Sequence, residues 1–405
     1  MSIVLAFSGG LDTSFCVPYL RETYGEPVYT VTVDTGGVAP GEAEVLEARA
    51  RALGATEHRT IPARQDLYDD LLSYLIKGNV LRGGVYPLCV GPERVVQARH
   101  TVAVARAVGA RAIAHGSTGA GNDQVRFDVA LRLLAPDLDL LTPIRERGLS
   151  RADTTAFLRE RGFDVPAKTT AYSINRGLWG TTIGGRETIT TTEPLPDDAY
   201  PDTTAPADAP DAPEDLEIAF EGGLPVALGG EALEPVALVE RLNAVGGRHG
   251  VGRAIHVGDT ILGIKGRVGF EAPAALILIT AHRELEKITL TKWQRYQKDQ
   301  LGEFYGMLLH EAQYFDPVMR DVEALLDSSQ RTVDGTVRVR LYKGAIQVLG
   351  CDSPYSLFDP AVASYGEENA LWDGRDARGF SRLAGVQALL AAQARRRAEH
   401  AEPEK

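Results

Sequence analysis

Between Ala114 and Asp128 the sequence reads AHGSTGAGNDQVRFD, placing Thr118, Asn122, Asp123, Gln124 and Arg126 within nine residues. These groups match a zwitterion. Asp123 could hold an ammonium, Thr118 and Asn122 a carboxylate, and the planar fork of Arg126 a carbonyl or carboxylate. A second polar stretch, SGGLDTS from Ser8 to Ser14, breaks the apolar run IVLAF. Its glycines let backbone N–H groups close on an anion, and Ser8, Thr13 and Ser14 add hydroxyl donors. A helix starting near Asp12 or Thr13 adds the positive end of its dipole, so a phosphate is the expected guest. There is no GxxxxGK[ST] lysine, and no GxGxxG follows the first strand, so the turn fits neither common nucleotide motif. Each stretch by itself is also what an ordinary tight βα turn or glycine-rich loop looks like.

Both stretches follow short β-rich runs. From Met1 to about Ala167, IVLAF leads into DTSFCVPYLRETY, VYTVTVDTGG into GEAEVLEARARALGA, and VQARHTVAVARAVGA into the strand ARAIAHG. This alternation predicts an α/β nucleotide-binding domain over 1–167, built on a parallel sheet covered on both faces. Ligands of such sheets sit beyond the carboxyl ends of the strands, so the two turns can share one crevice. An α+β second domain is expected over 168–364, where LEIAF, TILGIKGRVGF and ALILITAHRELEKITL mix strands with helices and TVRVRLYKGAIQVLG reads as a hairpin. Within it, the Pro-, Asp- and Ala-rich stretch 193–214 cannot bury a core and reads as an exposed connector. A C-terminal helical arm is expected over 365–405. Its segment SRLAGVQALLAAQARRR aligns Leu383, Val386, Leu389 and Leu390 on one stripe, with Arg395 to Arg397 near the negative helix end. Such an arm must dock, and a neighbouring subunit is the expected surface.

A chain of 405 residues and 43.7 kDa with 44% hydrophobic residues can bury a core in two or three domains. No secretory pattern opens it and no apolar run approaches the roughly 20 residues a bilayer needs, so a cytoplasmic, membrane-free protein is expected. A net charge of −12 and a pI near 5.3 argue against nucleic acid as a partner. Cys16, Cys89 and Cys351 are scattered, which indicates packing residues rather than a disulfide framework or a cysteine zinc site. The histidines lack ligand spacing, and no protein-held metal is expected.

SGGxDTS resembles the PP-loop of the ATP pyrophosphatases, which hold pyrophosphate there and release it while adenylylating a carbonyl oxygen. AHGSTGAGNDQVRFD is similar to one branch, the argininosuccinate synthase family. The resemblance runs on through YSINRGLWG at Tyr172 to Gly180, the connector ending in LEIAF, GRHGVGR at 247–253, GIKGR at 263–267, EAPAALILITAHRELEK and the arm from about Tyr365. It implies a PP-loop fold of the adenine nucleotide alpha hydrolase type. It also implies an ATP-dependent carbon–nitrogen ligase of arginine biosynthesis. In that reaction the ureido oxygen of citrulline attacks the α-phosphorus of ATP and expels pyrophosphate, and the amino group of aspartate then displaces AMP. The implied ATP site is Ala6, Phe7, Ser8, Gly9, Gly10, Leu11, Asp12, Thr13 and Ser14, with Val33 and Gly116. Aspartate would lie on Thr118, Asn122 and Asp123, and citrulline on Tyr86, Asn122, Arg126, Ser173 and Thr182. Ser8, Asp12, Asn122 and Arg126 would carry the chemistry. Mg²⁺ with ATP, a homotetramer and a downstream argininosuccinate lyase are implied too.

The sequence departs from the family pattern around the citrulline head. Hydroxyls expected at 90 and 91 are Val90 and Gly91, a glutamate and a tyrosine fall on Gly258 and Phe270, and a frequent lysine is Ala120. A lost charge-assisted hydrogen bond costs about 1.5–3 kcal/mol. Either Asp259, or Glu93 with Arg94, takes over the head group, or the acceptor is a masked citrulline or another ureido compound. A tRNA-modifying PP-loop enzyme and a non-catalytic ATP-binding module are the other classes. The first would need a basic docking face, and the second has no use for the aspartate constellation.

Overall fold

In the computed structural model, residues 1–119, 121–165, 172–362 and 371–400 are described. The expected domain limits at 167/168 and 364/365, and Ala120, lie outside them. The chain divides into two units, Met1–Tyr355 and Ser356–Lys405.

The first strand, β1 (Ile3–Ala6), has Ile3, Val4 and Leu5 buried on both faces, which is why its sequence is continuously apolar rather than alternating. It joins β2 (Val28–Asp34), β3 (Glu57–Pro62), β4 (Ala112–Ala114) and β5 (Asp139–Leu141) in a parallel sheet of order β3-β2-β1-β4-β5. The chain winds outward from β1 to β3 and then returns to place β4 on the other side of β1. Strand order therefore reverses between β1 and β4, where such sheets open a crevice. Four helices matter for the site: α1 (Leu11–Tyr24), α2 (Glu42–Ala52), α3 (Glu93–Ala107) and α4 (Asp123–Leu134).

Nine further strands build two antiparallel sheets. They are β6 (Ser173–Gly177), β7 (Gly180–Gly184), β8 (Glu214–Glu221), β9 (Leu224–Leu228), β10 (Glu231–Ala232), β11 (Arg253–Asp259), β12 (Lys265–Glu271), β13 (Gly335–Tyr342) and β14 (Ala345–Asp352). The orders are β11-β12-β7-β6 and β10-β9-β8-β13-β14, and β13–β14 is the expected hairpin. Helices α5 (Pro273–Thr289), α6 (Lys292–His310) and α7 (Val318–Ser329) pack with them. One continuous core contains residues of the β6–β7 hairpin, α5 and the segment 63–96. Trp179 at the hairpin tip anchors it, fully buried, with its indole N–H donating to the Pro87 carbonyl at 2.9 Å.

The connector is mostly exposed, yet it is pinned rather than loose. Asp202 accepts from Arg176 Nε at 2.9 Å and Thr181 Oγ1 at 2.6 Å, and Thr203 Oγ1 donates to the buried Glu271 at 2.5 Å. In the second unit the C-terminal helix starts earlier than its apolar stripe suggests. It forms two helices, α8 (Gly374–Ala384), capped by Asp373, and α9 (Val386–Glu399), with Gly385 between them. Leu383, Val386, Leu389 and Leu390 are all exposed.

Candidate functional site

The turn after β1 is organised by its own hydroxyls. Ser8 Oγ lies 3.2 Å from Thr13 Oγ1, Thr13 Oγ1 donates to the Gly10 carbonyl at 3.3 Å, and Ser14 Oγ to that of Gly9 at 3.3 Å. Gly9 has φ +72°, and a Cβ there would stand 2.4 Å from Leu46 Cδ2 on α2, so only glycine fits. Gly10 is the N-cap of α1 and brings no side-chain cap, which leaves first-turn amides for an anion. Ala6 ends β1, Phe7 is buried beneath the turn, Leu11 begins α1, and Val33 is half-buried near the end of β2. Burial raises the Asp12 carboxyl above its ordinary range, partly offset by Arg151.

The loop after β4 rests on this turn. A Cβ on Gly116 would lie 3.2 Å from the Asp12 carbonyl carbon and from Thr13 N and Cγ2. The two polar stretches thus meet at the switch point, as the sequence suggests. A strut holds the second loop. Buried His115 accepts at Nδ1 from the Ser117 amide at 3.3 Å, so its Nε2 donates to Asp128 at 3.0 Å. Arg145 in turn donates to Asp128 at 2.9 Å and to Gln124 at 3.0 Å.

At the start of α4, Asp123 bridges two guanidinium groups, accepting from Arg94 and from Arg126 at 2.9 Å each. Burial pushes its carboxyl up, but the two arginines outweigh that and hold it at about 2. The rest of the Arg126 fork is tied to α6. Its Nε and NH2 donate to the His310 carbonyl at 3.2 and 3.1 Å, and NH2 also reaches His310 Nδ1 at 3.1 Å. Burial, then the charges of Arg126 and Arg82, lower His310 to about 3. Neutral His310 therefore carries its proton on Nε2 and donates it to the Asp259 carbonyl at 3.1 Å. Asn122 Oδ1 accepts from the Ile261 amide at 2.9 Å. Thr118 is exposed at the loop tip.

The remaining expected residues lie on the second-domain side. Tyr86 is buried, stacked on His256 with ring centroids 5.3 Å apart and tilted against Phe270 at 5.2 Å. Thr182 on β7 is the cross-strand partner of Phe270. Ser173, exposed at the start of β6, pairs with Gly184 and makes no side-chain hydrogen bond among the described residues. Gly91 lies against the Arg126 guanidinium, whose Cζ is 3.4 Å from a Cβ built there. Of the carboxylates expected to replace a missing head-group contact, Asp259 pairs through Oδ1 with Lys265 at 2.5 Å, and Glu93 is buried with Oε1 pressed on Gly177 and without a hydrogen-bond partner among the described residues.

Two family models match the chain, the arginosuccinate synthase N-terminal HUP domain over residues 2–164 and the arginosuccinate synthase C-terminal domain over 172–391. The chain belongs to the argininosuccinate synthase family. Among similar curated relatives, the argininosuccinate synthase of Methanocaldococcus jannaschii is 39% identical over 96% of this chain and 97% of its own length. That of Dehalococcoides mccartyi is 41% identical over 96% of each, and that of Rubrobacter xylanophilus 42% identical over 95% and 94%. Membership in the argininosuccinate synthase family accounts for the HUP sheet, the switch-point crevice and the synthetase sheets together. Sequence reading missed three groups that brace this site: Arg145, His310 and Arg82. Arg145 and His310 lie in no glycine-rich motif, and Arg82 comes just before the Gly83–Gly84 pair; the signal was an arginine or histidine interrupting an apolar stretch, as in LLHEAQYF and VLRGGVYPL.

Proposed function

We propose that the crevice between β1 and β4 ligates an activated ureido oxygen compound to aspartate at the expense of ATP, the reaction of argininosuccinate synthase. The observation that carries this is the seating of Gly116 on the first turn of α1, which puts the amino-acid loop directly beside the phosphate turn. ATP would lie on Ala6 to Ser14 with Val33 and Gly116, and aspartate on Thr118, Asn122 and Asp123. Tyr86, Asn122, Arg126, Ser173 and Thr182 would receive citrulline. The ureido oxygen attacks the α-phosphorus, the bond from the α-phosphorus to the α,β-bridging oxygen breaks and pyrophosphate leaves; the aspartate amine then attacks the ureido carbon of the citrullyl-adenylate and AMP leaves. No side chain becomes covalently modified. The protein's part is orientation, which in well-aligned systems supplies up to about 7–11 kcal/mol.

Mg²⁺ would enter with ATP and neutralise the departing pyrophosphate. The residues fit an ion carried on the phosphates, since Asp12 is the single carboxylate of the turn that would hold them. The expected division at about 167 and 364, a homotetramer assembled through the exposed arm, a cytoplasmic location and a downstream lyase complete the reading. Among the described residues no helix is long and apolar enough to cross a membrane. The test is pyrophosphate release: it should require ATP, aspartate and a ureido acceptor together, and release without aspartate or acceptor at the same rate would refute a ligase.

A further inference from the structure

Beside Gly258 on β11 stands a polar group that no described residue uses. His256 is 7% exposed, and its Nε2 has no hydrogen-bond partner among the described residues. That atom is 2.5 Å from where a Cβ on Gly258 would stand, so the imidazole fills the space a side chain at 258 would take. Arg82 NH1 is 3.4 Å from the same point. Among the described residues Arg82 makes one side-chain hydrogen bond, from NH2 to the Asp259 carbonyl at 2.7 Å, and none through NH1. Its position is fixed by the backbone. Arg82 and Tyr86 exchange hydrogen bonds of 2.8 and 3.0 Å across a turn in which Gly83 and Gly84 take φ of +60° and +75°.

This cluster belongs to the acceptor end of the crevice. Tyr86 stacks on His256 on one side. On the other, Arg126 reaches the same Asp259 carbonyl through His310. The nearest charge there is that of Arg82. Asp123 is taken by Arg94 and Arg126, Asp259 by Lys265, and Glu93 is turned into Gly177. Glu311 offsets Arg82 through space without an ion pair to it among the described residues. An ammonium brought to Gly258 would meet the Arg82 guanidinium and the His256 imidazole as its nearest polar groups, with Glu311 and Asp259 acting on Arg82 only through space.

We propose that Arg82 NH1 and His256 Nε2 form a subsite for a carboxylate carried at the α-end of the acceptor, so that the acceptor is a ureido acid whose α-nitrogen bears a carboxylate-ended acyl group. This rests on the ligase reading. It names the acceptor class and leaves the bonds made and broken as they are. The natural probe is N-succinylcitrulline; N-acetylcitrulline masks the same nitrogen without adding charge.

The experiment is steady-state pyrophosphate release by the full chain with ATP, Mg²⁺ and aspartate, comparing citrulline, N-acetylcitrulline and N-succinylcitrulline. The expected result is kcat/KM for N-succinylcitrulline about tenfold or more above both others, the worth of one charge-assisted hydrogen bond. Arg82→Gln should lower the ratio of N-succinylcitrulline to citrulline by about tenfold or more; His256→Leu should lower the same ratio and serves if the first variant does not fold. Citrulline as the fastest acceptor, N-acetylcitrulline as good as N-succinylcitrulline, or a ratio unmoved by both variants would overturn the subsite and leave the ligase standing. Aspartate-dependent release with none of the three would overturn both.

Discussion

Gly116 rests on Thr13: a methyl group on its Cα would lie 3.2 Å from the Thr13 amide nitrogen. Two loops from strands on opposite sides of the switch point thereby touch through backbone, and their separation is set by the missing side chain. Gly116→Val is expected to push the amino-acid loop off the phosphate turn. A displacement approaching 1 Å costs up to about a hundredfold in rate. Steady-state pyrophosphate release should show kcat/KM for ATP reduced by about tenfold or more, Gly116→Ala less so, with melting temperatures close to the parent's. An unchanged kcat/KM in Gly116→Val would mean the two loops do not act together.

Asp123 is ionised and shared. Replacing it with Asn removes the charge that orders Arg94 and Arg126, so kcat/KM should fall for aspartate and for the acceptor alike. Each loses at least one charge-assisted contact of about 1.5–3 kcal/mol, hence about tenfold or more. The pH sign is clear. With a folded value of about 2, below the ordinary carboxylate value, its contribution to stability is full above about pH 4 and is lost as pH falls through 2. The stability gap between parent and Asp123→Asn should therefore be flat from pH 5 to 9 and close only in acid. A gap that changes near neutrality would show that another group is titrating.

The fold was legible because its signals are local. The strand-to-helix repeats, the glycines of the phosphate turn and the cluster Thr118 to Arg126 each occupy a few consecutive residues, and the rule for parallel sheets brings them to one crevice. What was hidden depends on distant pairing. Nothing near His310 in sequence says that its carbonyl and ring fix Arg126, 184 residues away. Glu93 and Asp259 looked equally available as carboxylates, yet Glu93 is buried against Gly177 and Asp259 is paired with Lys265. Gly258 was read as a lost side chain, whereas His256 occupies its place.

Glu93 is expected to be a stability liability above neutrality. Burial, only partly offset by Arg94 and Thr35, pushes its carboxyl up to about 8. A carboxyl raised in the folded state binds its proton more tightly there than in the unfolded chain. Stability is then full below about pH 4.3 and declines as pH rises toward 8. Glu93→Gln keeps the shape without the charge, so its melting temperature should gain on the parent's between pH 5 and pH 8.5. Parallel melting curves across that range would show that Glu93 is not held neutral.

Deep in the second domain, Lys298 and Glu286 are both fully buried and pair at 2.7 Å. Glu286 also accepts from Asn79 at 2.5 Å and Gln330 at 2.8 Å, and those two amides present their oxygens to His282 at 2.7 and 2.8 Å. The network ties α5, α6 and the end of α7 to the segment that leads into Arg82 and Tyr86. Removing one buried charge strands the other, at a cost of about 3–5 kcal/mol, while removing both is much milder. Lys298→Met should lose about that much in urea unfolding, and Lys298→Met with Glu286→Gln should recover at least about half of it. If the single variant loses less than about 1 kcal/mol, Asp299, which lies 3.1 Å from Lys298 at the half-exposed edge, rather than Glu286, is the partner that matters.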